Sequence, residues 1–506
     1  MEEKILIIGA NIPGLSAGCY GQMNGFDTEI FETSYSPGGD CTGLFKKDYY
    51  FDTCMHWVSG TRHGNGYFNS MWRELGALDR VPVLTQDLFM DVRTPAYPHF
   101  LVYTDADKWG DYLLSLAPED AEKIRELVED IKSLSAMQVP DKAVELMGIR
   151  DRSALSREFE SYKIIFLKYV RKTVQDVASG FRNAQIREGL VHGFSGEDLP
   201  ALSMVLLLGQ FHGKNAGWMK GGSLLFAKRI ADRYTGLGGN LRYGKRVKEI
   251  VVEKNTAVGV KLDNENYYPA DIIISAIDGK HTIQDLIHGK YAARELKMIN
   301  NLNASKLYTP AIQVSFGVNK NFSQEPHFTR FTLASAVTFG DVEVKNLAVK
   351  HFCFDDSTAP AGKSSVSVLF DITPEYFTSL YRNRDQYNRE KERITGDVLA
   401  YMNFFKPGFS RAVEATDFST VWNVLHHTGN WRAGYEGLFP LTRNSRFMSL
   451  SKTVPGLKNF FMIGQWLSPG AGLPALARHG RDVMQMICAA EKKVFTARIP
   501  EESPEN

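Results

Sequence analysis

The sequence predicts an α/β protein in which a discontinuous parallel-sheet domain is combined with a second part made of a mixed antiparallel sheet and helices. The apolar run KILIIG at residues 4–9 leads directly into a glycine-containing turn and a helix, which is typical of a central parallel strand. A similar pattern of strands, glycine turns and helices returns after residue 221 and after residue 459. The first domain is therefore expected to be Rossmann-like and assembled from three segments.

Changes in pattern along the chain predict the domain boundaries. The Rossmann-like domain is expected to comprise residues 1–74, 214–289 and 431–506. Residues 75–213 contain long amphipathic runs such as PEDAEKIRELVEDIKSL and are expected to form a helical substrate or lid region. Residues 290–430 contain short runs rich in Phe, Tyr, Thr and Val, which predict an antiparallel-sheet substrate domain.

Composition argues against several function classes. With 59 Lys and Arg against 58 Asp and Glu, the net charge is +1, so no overall field favours nucleic acid. The five cysteines are odd in number and form no Cys-x-x-Cys motif, which argues against a disulfide framework or a zinc site. We therefore expect reduced thiols, a cytoplasmic location, no metal and no nucleic-acid partner.

The turn GANIPG at residues 9–14 is the first candidate binding motif. In a phosphate-binding turn of the Gly-x-Gly-x-x-Gly type, Gly9 would make the tight bend and Gly14 would allow the helix to pack closely on the strand. Asn11 replaces the usual second glycine; asparagine tolerates left-handed backbone conformations, and its amide could donate to a phosphate. Ile12 and Pro13 would lie in the first helical turn, where the N–H that proline lacks has no partner.

Four acidic or glycine positions after this turn complete the pattern of a dinucleotide site. Glu32 ends the second predicted strand, 18 residues after Gly14, where a carboxylate can accept from both hydroxyls of an adenosine ribose and disfavours a 2′-phosphate. The pair Gly38 and Gly39 allows another close backbone approach, with Asp40 beside it. The run YYFDTCMHW that follows alternates like a strand carrying His56.

These motifs resemble those of a known family. Gly9 to Gly14, Glu32, Pro37-Gly38-Gly39 and Phe51-Asp52-Thr53 are similar to the FAD-binding opening of the phytoene desaturase, carotenoid isomerase and retinol saturase superfamily. The segment MIGQWLSPGAGLP at residues 462–474 resembles its closing flavin motif, and WMKGGSLLFAKRI and GGNLRYGKRVKEIVVE resemble its middle part. The runs GGDCTGLF and FDTCMHW look closer to the retinol saturase and carotenoid isomerase branch.

The resemblance implies FAD as the cofactor, and it implies an oxidoreductase that acts on C=C or C–C bonds of an apolar polyene or isoprenoid lipid. Such an enzyme desaturates, saturates or isomerises its substrate by hydride exchange at flavin N5. In the closing motif, Gln465 stands where related flavoenzymes often place an acid on the ribityl hydroxyls. The implied cofactor-binding residues are Gly9, Asn11, Ile12, Pro13, Gly14, Glu32, Gly38, Gly39, Asp40, Trp57, Val247 beside the adenine, Gly464, Gln465, Gly472 and Leu473.

Catalytic side chains are harder to predict. His56 could face the flavin, and Tyr435 and Glu436 in GYEGLFP could approach the substrate, although all three also suit structural roles. An unsaturated fatty acid hydratase or isomerase is an alternative, and it would need Glu436 as an acid that protonates the alkene. A second alternative is a non-catalytic lipid- or nucleotide-binding protein on the same scaffold.

The apolar stretch LPALSMVLLLGQFHG at residues 199–213 bears on the substrate and on membranes. It is too short to span a bilayer, so it could form a buried core helix, line a long apolar pocket, or contact a membrane surface. The expected partner is thus an apolar small molecule, with peripheral membrane contact as an option. The oligomeric state is left open by the sequence.

Overall fold

Three large hydrophobic cores organise the part of the chain that the structure describes. The computed structural model describes residues 3–62, 64, 66–194, 199–300, 311–339, 342–371, 376, 379–419, 450–468 and 472–500. One core surrounds a parallel sheet, the second lies among the helices that follow residue 105, and the third lies against an antiparallel sheet. This arrangement confirms the predicted α/β fold class.

The parallel sheet draws its strands from all three predicted segments. Its central strand, Lys4–Ile8, pairs in parallel on both sides, with Ile7 opposite Ile30 on one side and Ile274 on the other. Ile5, Leu6 and Ile7 are fully buried because the helix Ile12–Met23 covers one face of the sheet and a small antiparallel sheet, whose Tyr268 contacts Phe31, covers the other. In spatial order the strands are Asn240–Arg242, Asp27–Phe31, Lys4–Ile8, Ile272–Ser275 and Phe460–Met462.

Three helices lie around this sheet: Ile12–Met23 (the opening helix) and Gly222–Gly236 (the middle helix) contact its strands, and Gly472–Ala490 (the closing helix) packs on the opening helix. The opening and closing helices lie in direct contact, and Ser16 Oγ donates to the carbonyl oxygen of Ala477 over 2.6 Å. At Gly480 the contact is so close that a Cβ atom would lie 2.5 Å from the backbone nitrogen of Ala17. Only glycine therefore fits this position in the closing helix.

Residues 106–212 form most of the expected helical region. In its helix Ala121–Ser135, Ile124, Leu127, Val128 and Ile131 are buried on one face, as the amphipathic spacing predicts. None of the helices in the described ranges combines the length and the apolar character that a membrane-spanning helix needs. The helices of this region are Ala106–Leu116, Ala121–Ser135, Ile149–Tyr169, Val174–Ala178, Ala184–Gly193 and Ala201–His212, with Tyr67–Glu74 before them and short 3₁₀ turns at Pro118–Asp120 and Val144–Leu146.

The beginning of the same region differs from the helical expectation, because residues 83–103 form strands. Leu88–Arg93 pairs in parallel with the strand Phe328–Phe339 and antiparallel with Phe100–Tyr103. The run LFMDVR is too short for a stable amphipathic helix, and its apolar side chains are buried on both faces, as in an interior strand. The short strand Val83–Leu84 pairs instead with Ala216–Met219.

The antiparallel sheet has seven strands, two of which come from the region just described. The helix Arg384–Phe405 covers one face, where Ile394, Val398 and Met402 join the third core. The spatial order is Val413–Ser419, Ala311–Val318, Ser364–Asp371, Val342–His351, Phe328–Phe339, Leu88–Arg93 and Phe100–Tyr103. Smaller elements are the hairpin Gly43–Lys46 and Tyr49–Asp52, the strands Val58–Ser59, Val247–Glu253, Thr256–Leu262 and Tyr267–Pro269, and the helices Gly279–His281, Thr282–Leu286, Ala293–Asn300 and Phe409–Ala412.

A buried ionic cluster joins the closing helix to the helical region. The Arg481 guanidinium lies 3.3 Å from a Glu74 oxygen and 2.7 Å from an Asp141 oxygen. Close by, Lys452 lies 2.7 Å from Glu145 and also contacts a carboxylate of the closing helix. Because the Arg481 guanidinium and the Lys452 ammonium are largely removed from water, each needs its acidic partners, and these contacts help to fix how the helical region sits on the parallel-sheet domain.

The contact at Gly480 gives a test of the fold. We expect Gly480→Ala to lower the free energy of unfolding by about 2 kcal/mol, because the added methyl group overpacks the contact with the opening helix. Gly396 is the matched control: it is an exposed glycine in another helix, with no atom within 4 Å of a built Cβ. Gly396→Ala should be neutral or stabilise by up to about 1 kcal/mol. Thermal and denaturant unfolding measure both variants, and equal stabilities would contradict the close packing.

Candidate active site

One large cavity of about 1620 Å³ lies where the parallel sheet, the helical region and the antiparallel sheet meet. Pockets for a single drug-sized ligand enclose about 300–1,000 Å³, so this cavity is large enough for more than one such ligand. One end is lined by the turns that follow the parallel strands, at Gly9, Glu32 and Gly464. The other walls are supplied by the helix Ala201–His212 and by the antiparallel sheet. This is the position at which α/β sheets bind their ligands.

The opening turn lines the cavity, but Asn11 behaves differently from the sequence prediction. Its backbone is extended (φ −77°, ψ 176°), and its side-chain oxygen accepts from the Gly14 N–H over 3.1 Å. Its amide nitrogen donates to the carbonyl oxygen of Ala276 over 2.6 Å. The left-handed conformation that the sequence suggested is therefore not adopted, because Asn11 caps the opening helix, whereas the predicted donation from its amide to a phosphate stays a prediction. Asparagine is a preferred N-cap residue, so this role was available from the sequence.

The geometry of the turn fits a cofactor phosphate. At Gly14 a Cβ atom would lie 2.0 Å from the carbonyl oxygen of Gly9, so a side chain would push the helix away from the strand. The backbone N–H of Gly38 donates to the carbonyl oxygen of Ala10 over 2.8 Å, which places the second glycine loop beside the first. The N-terminal end of the opening helix, the cavity and two glycine loops are thus in contact.

Glu32 is held in a fixed orientation at the rim of the cavity. Its two carboxylate oxygens accept from the N–H groups of Ala10 and Ser34, each over 2.7 Å. The side chain is 9 % exposed, and burial raises the pKa of the Glu32 carboxyl, while the same N–H groups lower it. Lone pairs on both oxygens remain available toward the cavity.

The other predicted cofactor residues lie around the same cavity. Gly14 is the exception, since it lies behind the turn and contacts Gly9 rather than the cavity. Closing-motif residues Pro469 to Ala471 lie outside the described residues. The cavity-lining residues are Gly9, Asn11, Ile12, Pro13, Glu32, Gly38, Gly39, Asp40, Trp57, Val247, Gly464, Gln465, Gly472 and Leu473.

Asp52 organises the wall beneath this site. Its carboxylate is 3 % exposed and accepts from the backbone N–H groups of Cys54 and Met55 over 2.9 and 2.7 Å. It also accepts from both the N–H and the hydroxyl of Ser223, over 2.7 and 2.8 Å, at the start of the middle helix. The Asp52 carbonyl oxygen accepts from the side-chain amide of Gln313, which belongs to the antiparallel sheet. One residue therefore connects two segments of the parallel-sheet domain with the antiparallel sheet.

His56 lies in the cavity wall but not on a strand, so the sequence prediction of its secondary structure was wrong. The strand ends at Asp52, because the Asp52 carboxylate binds the next N–H groups and turns the chain. The His56 side chain projects into the cavity, where its ring centroid lies 5.8 Å from that of Trp57. The catalytic role of His56 stays a prediction.

Lys350 is a site residue that the sequence analysis missed. It lies on the strand Val342–His351, is 7 % exposed, and its ammonium nitrogen is hydrogen-bonded to Nδ1 of His56. Burial and the nearby Arg330 hold the pKa of Lys350 well below its usual value. Burial, and then Lys350 and Arg330, hold the pKa of His56 well below 6.5, so its imidazole is neutral at pH 7. A lysine in the alternating run EVKNLAVKH was the available signal, but the run does not show which face points inward.

Tyr435 and Glu436 lie outside the described residues. Their predicted approach to the substrate is therefore not placed by the structure, and both stay predictions.

The chain also matches a known protein family. Residues 12–482 match the family described as flavin containing amine oxidoreductase. This match covers most of the chain. The chain belongs to this family. The match confirms the predicted FAD cofactor and the predicted FAD-dependent oxidoreductase, and relatives of the phytoene desaturase type support the superfamily named from the sequence. The nearer branch within that superfamily stays a prediction.

Three similar proteins show how far the likeness extends. The 4,4'-diaponeurosporene oxygenase of Staphylococcus haemolyticus is 21 % identical over 518 residues, covering 98 % of this chain and 99 % of that protein. The phytoene desaturase (neurosporene-forming) of Cereibacter sphaeroides is 21 % identical over 498 residues, covering 94 % and 92 %. Among solved structures, an oxidoreductase from Methanosarcina mazei matches with a TM-score of 0.59 and 16 % identity, over 95 % of this chain and 100 % of that one. The structural match supports the fold alone.

The Asp52 network gives a second test. We expect Asp52→Ala to lower the free energy of unfolding by about 3 kcal/mol or more, because it leaves several buried N–H groups without an acceptor. Asp27→Ala is the control, since Asp27 is exposed at the start of a parallel strand and should change stability by at most about 0.5 kcal/mol. Denaturant unfolding compares the two variants. An Asp52→Ala protein as stable as Asp27→Ala would show that the network does not hold the site together.

Proposed function

We propose that this flavoenzyme acts on C=C or C–C bonds of an apolar polyene or isoprenoid lipid, by desaturation, saturation or isomerisation. The observation that carries the proposal is the size and lining of the cavity, which continues from the cofactor turns into apolar walls. The relatives' names support the same substrate class, because they refer to 4,4'-diaponeurosporene and to phytoene.

In this proposal FAD is held by the turns at the sheet end of the cavity. Glu32 would accept from the ribose hydroxyls, and the loops at Gly9 and at Gly38 and Gly39 would lie along the pyrophosphate. Gly464 and Gln465, with the start of the closing helix, would contact the ribityl chain and the ring. Bound FAD supplies two-electron redox chemistry through hydride exchange.

The apolar walls explain how the chain would position a polyene. Trp57 and Phe89 pack edge to face with ring centroids 5.3 Å apart, and Phe89 contacts Phe328 in the same way at 5.9 Å. The helix Ala201–His212 contributes Met204 and Leu207 to the same cavity. These side chains have no strong hydrogen-bonding groups apart from the Trp57 indole N–H, so they favour a hydrocarbon chain and exclude water from the reacting carbons.

His56 and the location of the enzyme belong to the same proposal. His56 lines the cavity and is the proposed catalytic residue; its imidazole is neutral and Lys350 and Arg330 oppose its protonation, so it would act on the substrate by hydrogen bonding rather than as a proton acceptor. All five cysteines are free, which supports a reducing, cytoplasmic setting. We include contact with a membrane surface in the proposal, because an apolar substrate could be taken from the membrane. No surface of the described residues is assigned to this contact.

The decisive experiment measures product mass. The enzyme, with its FAD either oxidised or chemically reduced, is incubated with a carotene, a retinoid and an unsaturated fatty acid, and each product is weighed by mass spectrometry. Loss of two hydrogens identifies a desaturase, gain of two a saturase, and unchanged mass with altered retention an isomerase. Gain of water would instead support the hydratase alternative, whose acid Glu436 lies outside the described residues. No product from any compound would overturn the proposed function.

Glu32 provides a test of the cofactor placement. We expect Glu32→Gln to weaken FAD binding by about 10- to 100-fold, because an amide has one acceptor oxygen where the carboxylate uses two. The ratio of FAD to protein after gel filtration and the dissociation constant of added FAD measure the effect. Glu253→Ala, at an exposed strand end, should retain FAD like the unmodified enzyme. Full retention of FAD by Glu32→Gln would show that Glu32 does not contact the ribose.

A further inference from the structure

Two basic side chains face the apolar cavity from neighbouring strands of the antiparallel sheet. In the strands Phe328–Phe339 and Val342–His351, Phe328 lies opposite Lys350 and Arg330 lies opposite Ala348. Because side chains alternate along a strand, Phe328, Arg330, Ala348 and Lys350 share one face, and all four line the cavity. We call Arg330 and Lys350, together with His56, the basic wall.

The basic wall is built into the aromatic lining described above. The Lys350 ammonium nitrogen lies 4.8 Å from the centre of the Phe328 ring, and the Arg330 guanidinium carbon lies 5.6 Å from it. Phe328 in turn contacts Phe89, which contacts Trp57 next to His56. The polar groups therefore border this aromatic row, with Lys350 and Arg330 beside Phe328 and His56 beside Trp57, so a ligand that lies along the row and reaches the basic wall needs an apolar chain and a polar head.

The charge of this wall selects the kind of polar head. A guanidinium is protonated at all physiological pH values, so Arg330 brings a permanent positive charge to the cavity. Within the described ranges, the contacts of Lys350 are the bond to His56 and the Phe328 ring, and none of them is with a carboxylate. A buried lysine without an anion is unfavourable, and an arriving anion would relieve that cost.

We propose that the polyene substrate ends in a carboxylate, which Lys350 and Arg330 receive while the hydrocarbon chain lies along Phe328, Phe89 and Trp57. This inference rests on the proposed function and specifies its substrate class: a polyene acid rather than a hydrocarbon or an alcohol. His56, hydrogen-bonded to Lys350, lies at the same polar end of the substrate. An alcohol or a hydrocarbon of the same shape would bring no anion to Lys350, whose side-chain contacts within the described residues are His56 and the Phe328 ring.

Binding of such an acid should take up a proton. The titratable groups around Lys350 are His56, Arg330 and Asp52. Burial and Arg330 hold the pKa of Lys350 well below 10.5, although the Asp52 carboxylate acts to raise it. A carboxylate beside the amine favours its charged form and raises that pKa again. At a pH between the two pKa values, the amine therefore binds a proton as the acid binds, whereas a neutral alcohol causes no such uptake.

The experiment compares two ligands that share one polyene chain, all-trans-retinoic acid and all-trans-retinol. Calorimetry with the FAD-loaded enzyme gives both dissociation constants, and titrations in two buffers of different ionisation enthalpy give the number of protons taken up. We expect the acid to bind about 10- to 100-fold more tightly than the alcohol, with proton uptake for the acid alone.

Variants assign the effect to the basic wall. Lys350→Met should reduce the preference for the acid to less than about threefold and remove the proton uptake, whereas Lys350→Arg should keep the preference without the uptake. Lys391→Met is the charge-matched control, because Lys391 also lines the cavity but packs over Tyr387 and Phe418 on the helix side of the sheet. This control should keep both the preference and the uptake. FAD content and the thermal unfolding midpoint show whether each variant is folded.

The outcomes separate this inference from the proposed function. Equal binding of acid and alcohol by the unmodified enzyme, or a preference that survives in a folded Lys350→Met protein, would overturn the carboxylate assignment even if polyenes are converted. If Lys350→Met does not fold, the carboxylate assignment is still tested by the unmodified enzyme, through its dissociation constants for the acid and the alcohol and the number of protons taken up with each. Absence of product from every polyene, measured separately by product mass, would overturn the proposed function instead.

Discussion

The site depends on one buried carboxylate. Asp52 accepts hydrogen bonds from the turn that carries His56 and from the start of the middle helix, and its backbone binds Gln313 of the antiparallel sheet. These elements come from distant parts of the sequence, so interactions between sequence neighbours do not determine their relative positions. In a low-dielectric interior, the groups of this charge-assisted network all find hydrogen-bond partners in one arrangement. This arrangement places the cofactor turns and the substrate walls around one cavity.

The polar residues at the cofactor end have two roles. Some form hydrogen bonds within the protein, and others keep acceptor atoms available for the ligand. Asn11 uses both polar atoms of its side chain within the protein, so the opening turn has its shape before any cofactor arrives. Glu32 also bonds two N–H groups, but a carboxylate has lone pairs to spare. The turn is thereby preorganised, and the cost of ordering it is met by folding rather than by binding.

Much of the fold and of the cofactor end could be predicted from the sequence. The strand KILIIG, the turn at residues 9–14 and the acid at Glu32 are local patterns with a fixed order, so their geometry follows from short-range rules. The strands near Leu88–Arg93 were missed because a short apolar run suits either element, and its partner strand lies more than two hundred residues away. Lys350 was missed for a related reason, since its contact with His56 depends on a sheet register that no local pattern specifies.

The interleaving of the parallel strands also affects how the protein is made. The strand at residues 4–8 is synthesised long before one of its neighbours, at residues 272–275, and before the outermost strand, at residues 460–462. Until those segments are synthesised, the early strand has an unpaired edge and an uncovered apolar face, both of which favour aggregation. The flavin cleft can therefore be completed only after the strand at residues 460–462, which precedes the cavity-lining Gly464, has been synthesised.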